Sequence, residues 1–250
     1  NHIHHDGLTY PSGIALRCDG DDHRVAHNTF HHTTYSAIAG GGRRLVFENN
    51  LFHHIMEALV DGAAIYLFAA RQCVMRGNYT HSVREEQVHA YYLDEQSEDS
   101  LVEGNLAVDV PWPIHNHMAT NCRLRGNVCV SRAPMTISFM NCHGFVLERN
   151  LFSTPGKLTI DSSYTGLARL SKNVFHSGSG QMEWRLHDRL PSLERNAGPV
   201  APVPRNDGSV IDDPLLAGAE AEPPRLRRGS PAAARGIRIP NMRGAGRRER

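Results

Sequence analysis

One asparagine, placed at near-regular intervals, constrains this chain more than anything else in it. An Asn followed by an apolar or β-branched pair occurs as Asn28-Thr-Phe, Asn50-Leu-Phe, Asn78-Tyr-Thr, Asn105-Leu-Ala, Asn127-Val-Cys, Asn150-Leu-Phe and Asn173-Val-Phe, and Asn1-His-Ile fits as the first copy. Successive copies lie 27, 22, 28, 27, 22, 23 and 23 residues apart. Short alternating segments precede the later copies, such as Arg44-Leu-Val-Phe-Glu, Ser100-Leu-Val-Glu and Phe145-Val-Leu-Glu. Alternation with period two marks strands that bury one face. No stretch up to residue 176 sustains a helical period with caps, so helical and leucine-rich solenoids are excluded.

A unit of this length, built from short strands and turns, predicts an all-β fold, a single-stranded parallel β-helix of about seven coils. Each coil contributes about three strands, and coils stack at roughly 4.8 Å. The Asn suits a tight corner, where it tolerates left-handed backbone and bonds its own main chain. Stacked copies can also bond one another as an amide ladder. The coils are expected over residues 1–196, an irregular Pro- and Ala-rich strap over 197–242, and a disordered basic tail over 243–250. Because the first repeat starts at its corner Asn1, a missing N-terminal cap is also expected.

The pattern resembles the right-handed parallel β-helix proteins of the pectin-lyase-like superfamily. A second match lies downstream, in Asp213-Pro-Leu-Leu followed by Pro224-Arg-Leu-Arg-Arg-Gly-Ser-Pro-Ala-Ala-Ala-Arg-Gly. It is similar to the closing segment of bacterial β-helix proteins related to glycoside hydrolases. The resemblance implies a carbohydrate-active role and an extracellular or periplasmic location.

Composition narrows the partners. Residues 226–250 hold eight Arg and one Glu, so the remaining 225 residues carry 19 basic and 25 acidic side chains, a charge of −6. A body of that sign is ill suited to nucleic acid, which needs a clustered basic face. No apolar run reaches the roughly 18 residues of a membrane span. The five cysteines form no CxxC pair and read as small buried hydrophobes.

A β-helix buries its inward side chains, so chemistry belongs on an outward face where coils align residues. Aligned by distance to the next Asn, one strand per coil puts Ile14, Leu16, Ile38, Ile65, Leu67, Leu93, Ile114 and Ile137 inward. Alternation then turns Arg17, Tyr66, Phe68, Tyr92, Asp94, His115 and His117 outward into one patch. The two longest coils flank it, with room for cleft walls. Tyr66, Tyr92 and Trp112 offer faces for sugar rings, while carboxylates and imidazoles bond hydroxyls and move protons.

Asp94 is the first candidate catalytic carboxylate, with aromatic neighbours able to raise its pKa, and Asp61 its partner. Glu95 replaces Asp94 if the register slips by one. The competing reading makes Asp94 and Asp61 turn residues, before Gln96-Ser97 and in Asp61-Gly62. His117 supports catalysis, and His89 and His115 join the substrate-binding set. His115 and His117 are read as substrate contacts rather than metal ligands, and no cofactor is called for. Asp19, Asp21 and Asp22 are the one calcium candidate. The motif Asn-x-[Ile/Phe]-His-His, carrying His2, His4, His5, His31, His32, His53 and His54, reads as a structural column.

The functional expectation is therefore a glycoside hydrolase acting on a polysaccharide or oligosaccharide with paired carboxylates. The alternative is a polysaccharide lyase or uronate epimerase, with Tyr92 or His117 as base and Arg17 neutralising the uronate. A non-catalytic carbohydrate-binding or adhesin β-helix is the third reading.

Overall fold

A computed structural model describes residues 1–83, 87–186, 204–217 and 223–247. The chain winds through three parallel sheets in strict rotation, making a β-solenoid of about eight turns, slightly more than the seven expected. The first sheet has nine strands, from His2–His4 to Val210–Ile211. The second has eight wider strands, from Leu16–Asp21 to Met182–Leu186. The third has eight, from Arg24–Ala26 to Arg205–Asp207. Only one short helix, Pro231–Ala234, and one 3-10 turn, Met242–Gly244, occur among the described residues.

Each repeat Asn occupies the corner between the third sheet and the first. From Asn28 to Asn173 these side chains are buried. The Nδ2 of Asn1, Asn28, Asn50, Asn78, Asn105, Asn127 and Asn150 donates to the Oδ1 of the next Asn at 2.9–3.1 Å. Asn173 ends the series on Ser209 Oγ at 3.0 Å. Each Oδ1 from Asn50 onward also accepts the backbone N–H of the preceding ladder Asn, as Asn78 Oδ1 does from Asn50 at 3.0 Å. The second Nδ2 hydrogen goes to a neighbouring backbone carbonyl, such as Val102 O for Asn127 at 2.8 Å. Every hydrogen-bonding group of the buried amide is thereby satisfied, which removes the desolvation penalty such a group otherwise carries.

The backbone assigns the left-handed conformation differently from the sequence expectation. Positive φ falls on the residue before each ladder Asn: His27, Asn49, Gly77, Gly104, Gly126, Arg149 and Lys172. Three of these seven are Gly, which adopts φ near +60° without steric cost. The Asn is there for its amide, and the turn is made by its neighbour.

The inner faces stack like on like. Leu16, Ile38, Ile65, Tyr91, Ile114, Ile137 and Ile160 follow one another in register along the second sheet. Phe30 and Phe52 stack with ring centroids 5.2 Å apart inside the first. All five cysteines are buried and free, consistent with small core residues. The inner positions from Leu16 onward fit the alternation read from the sequence, while Ile14 lies before the strand and is only half-buried.

The C-terminal segment is more ordered than a strap and tail. Arg205–Asp207 and Val210–Ile211 extend the third and first sheets beyond the expected limit at residue 196. The two halves of the closing motif then meet, since Leu216–Ala217 pairs antiparallel with Arg225–Leu226 and Ser230 Oγ donates to Pro214 O at 2.7 Å. Beyond this, Leu216, Leu226, Ala232, Ile237, Ile239 and Met242 cover the apolar outer face of the first sheet at Leu106, Val108, Val128, Val130, Leu151 and Val174. The expected disorder over 243–250 is corrected for its first part. Gly246 N–H donates to Asn49 O at 2.8 Å, and Arg247 N–H to Thr29 Oγ1 at 3.0 Å. The residues from 248 onward lie outside the described residues.

Removing one rung should be costly. Asn127→Ala strands the Asn105 Nδ2 and backbone N–H in a buried corner and takes a donor away from Val102 O and Asn150 Oδ1. At about 1–3 kcal/mol per orphaned group, equilibrium urea unfolding should show a loss of at least about 3 kcal/mol. Gly126→Ala at the adjoining left-handed position should cost about 1–2 kcal/mol.

Candidate active site

The second sheet carries the outward patch. Register pairs Arg17 with Ala39, Ala39 with Tyr66, Tyr66 with Tyr92, Tyr92 with His115, His115 with Ser138, and Ser138 with Asp161. Side chains drawn from seven turns thus form one outward column. A parallel column runs from Ala63 through His89 to Trp112. On the other side, Asp94 and His117 each end their strands' outward series.

Asp94 is the hub. Its Oδ2 accepts the Tyr66 hydroxyl at 2.6 Å, and its Oδ1 meets His117 Nδ1 at 2.9 Å. Leu93, next to it, is buried in the core, so the alternation holds and Asp94 is the carboxylate that enters the patch. Glu95 is solvent-exposed and outside this network, so the one-residue slip does not occur. The Asp94 carbonyl also accepts Ser97 N–H at 3.0 Å. The turn reading and the site reading therefore hold together.

Aromatic contacts knit the rest. His89 stacks on His115 at 4.5 Å, Tyr92 meets His115 edge-on at 4.4 Å, and Tyr66 meets Tyr92 at 4.8 Å. Trp112 touches His89 at 5.8 Å. Outward does not mean exposed here: His89, Tyr92 and Asp94 are 1%, 5% and 8% exposed, because neighbouring rings cover them. The two hydrogen bonds of Asp94 are therefore made largely out of contact with water.

Asp61 lies at the rim, at φ 64°, just before the strand Gly62–Arg71. Its backbone carbonyl accepts the Tyr35 hydroxyl at 3.2 Å. Burial, followed by the Asp94 charge, raises its pKa, while His117 pulls it the other way. Both phenols of the patch, Tyr66 and Tyr92, are pushed upward, first by burial and then through Asp94. They are hydrogen-bond donors at neutral pH and poor bases.

Arg17 stands apart. It is paired with Asp19 at 2.5 Å, and its guanidinium lies 5.0 Å over the Phe68 ring. The small Ala39 separates it from Tyr66 in the column, and the Phe68–Tyr66 ring contact at 6.3 Å bridges that gap. The acidic turn is occupied by arginine: Asp22 takes both Arg44 Nε and Nη2 at 2.6 Å, and Asp21 Oδ1 accepts Arg43 N–H at 3.0 Å.

Two members were missed by sequence reasoning. Ser138 Oγ forms a short hydrogen bond with His115 Nδ1. It sat in the aligned strand Met135–Met140, one register step from His115, and that step was the available signal. Tyr35 lies outside the second sheet's strands, so alternation carried no signal for it.

No family model, curated protein or solved structure matched this chain.

The buried imidazoles set an acid-side limit on stability. Burial, then the neighbouring His115, lowers His89 to about 3, and burial, then His117, lowers His115 to about 4. An unfolded histidine titrates near 6.5. Between that value and about 4 the unfolded chain binds more protons, so stability is full above about pH 6.5 and falls on acidification. Urea unfolding at pH 7 and pH 5 should show that loss, and His89→Gln should flatten it. Equal slopes in both proteins would contradict the assignment.

Proposed function

We propose that the outward patch of the second sheet hydrolyses a glycosidic bond in a polysaccharide or oligosaccharide, as the resemblance to pectin-lyase-like β-helix proteins suggests. The observation that carries this reading is the Tyr66–Asp94–His117 network, with a second carboxyl at Asp61 close enough to feel the Asp94 charge. Hydrolysis of an acetal needs a proton for the leaving oxygen and an activated water or nucleophile. A carboxyl whose pKa is raised, as that of Asp61 is, suits the acid role. Asp94 serves as the carboxylate base, acting directly or through His117. With Nδ1–H engaged on Asp94, His117 keeps Nε2 as its proton-accepting nitrogen.

Tyr92, Trp112, His89 and His115 supply apolar faces and hydrogen-bonding edges beside these carboxyls, a combination that suits a sugar ring. The lyase alternative draws on the same Asp94–His117 pair as a base. It lacks support at the uronate, because Arg17 is spent on Asp19, and at Tyr92, whose phenol is pushed away from the basic form.

Asp94→Asn should lower kcat at least about a hundredfold on the cleaved polysaccharide. The Asn keeps the volume and can still accept from Tyr66 but gives up the charged contact with His117, so the protein should stay folded with a lowered melting temperature. Glu95→Gln should leave kcat unchanged, and Tyr92→Phe should act mainly on KM. Full activity in Asp94→Asn would remove the patch from the reaction. Unsaturated products seen by ultraviolet absorbance would favour the lyase.

Leu93→Ala gives the opposite signature. Truncating this core side chain should cost roughly 2–5 kcal/mol on urea unfolding.

A further inference from the structure

Around the solenoid from the candidate active site, the outer face of the first sheet changes character along the axis. Its later turns present the apolar side chains covered by the C-terminal segment. Its first four turns present histidine instead. One column holds His4, His31, His53 and His81, with ring centroids 4.9, 4.8 and 5.3 Å apart and planes within 16° of parallel. A second column holds His5, His32 and His54, with spacings of 4.9 and 5.0 Å and planes within 4°.

The columns face each other through nitrogen. Within each turn the two rings stand nearly perpendicular, at 87°, 83° and 88°. Their Nδ1 atoms approach to 2.8 Å in His4/His5, 2.6 Å in His31/His32 and 2.9 Å in His53/His54. The left-handed backbone of His5, His32 and His54 holds the second ring of each pair in place. Stacking alone would not require this convergence, since two rings can share a column spacing with their nitrogens turned to solvent.

The geometry points to a site for one borderline divalent cation, nickel, zinc or copper(II), held by His5, His31 and His32. The ligand atoms of these three residues all lie within 4.8 Å of one another. Nitrogens bound to zinc sit about 2.0–2.1 Å from it, so a tetrahedral pair spans roughly 3.3 Å; the ion enters as the His31/His32 pair opens by about 0.7 Å and the His5 ring closes in on it. At rest one Nδ1–H of the pair donates to the other. Binding moves that hydrogen to Nε2 of the same ring and frees both Nδ1 lone pairs, with no net proton released.

An all-imidazole set selects such metals over magnesium and calcium, which prefer oxygen. His5 belongs to the first turn and His31 and His32 to the second, so the ion clamps two turns. The next residue, Asp6, keeps both carboxylate oxygens buried without a hydrogen-bond partner.

The test is isothermal titration of the full chain with nickel chloride after chelator treatment, beside His32→Gln, the double variant His31→Gln/His32→Gln, and the control His143→Gln. The wild type and the control should take up one ion tightly and gain melting temperature. The double variant should bind at least about tenfold more weakly and gain none, and His32→Gln should fall between. Should the double variant fail to fold, the copper(II) spectrum of the wild type decides: hyperfine splitting from three imidazole nitrogens supports the site, and its absence overturns it. Equal nickel affinity in the wild type and either variant overturns it too, as does magnesium displacing nickel.

Discussion

The buried asparagine amide is the interaction on which the rest of the solenoid depends. An amide removed from water costs several kcal/mol unless every donor and acceptor is met. From Asn50 to Asn150 each copy meets all four of its side-chain hydrogen-bonding groups through the turn above, the turn below and the adjoining backbone. A slip of one residue in any turn would leave two amides unsatisfied. The ladder therefore fixes register, and register carries every other column with it.

The consequences are visible on both outer faces. On the second sheet, register lines up Tyr66, Tyr92, His115 and Ser138, residues 23–26 positions apart in sequence, and ends Asp94 against His117. On the first sheet the same register lines up histidines on the early turns and aliphatic side chains on the later ones, where the C-terminal segment lies down. Neither arrangement has a local origin. Each exists because turns repeat at fixed rise around a shared corner.

Much of this was legible in the sequence, for one physical reason. A solenoid contacts mainly its neighbours along the axis, so a repeat read in one dimension is already a contact map in three. The Asn series, the inward Ile and Leu positions and the outward place of Asp94 all followed from period two between corners. What escaped depended on conformation rather than pattern. The left-handed turn falls on Gly77, Gly104 and Gly126 and on His27, Asn49, Arg149 and Lys172 alike, so residue type alone did not mark it. Tyr35 reaches Asp61 from outside the aligned strands, and the return of Arg247 to Thr29 rests on a basic, glycine-rich stretch that composition marks as disordered. The near-complete burial of Asp94 came from ring-on-ring cover, which spacing does not reveal.

The ladder holds the turns in register, and side-chain amide exchange reads it directly. In the folded chain the Nδ2 hydrogens of Asn50, Asn78, Asn105, Asn127 and Asn150 should exchange with deuterium as slowly as core backbone amides, since both are buried and bonded. Asn121 and Asn241, with solvent-facing side chains, should exchange at the rate of free amides. Fast exchange of the repeat asparagines in an otherwise protected protein would show that the amides do not hold the turns in register.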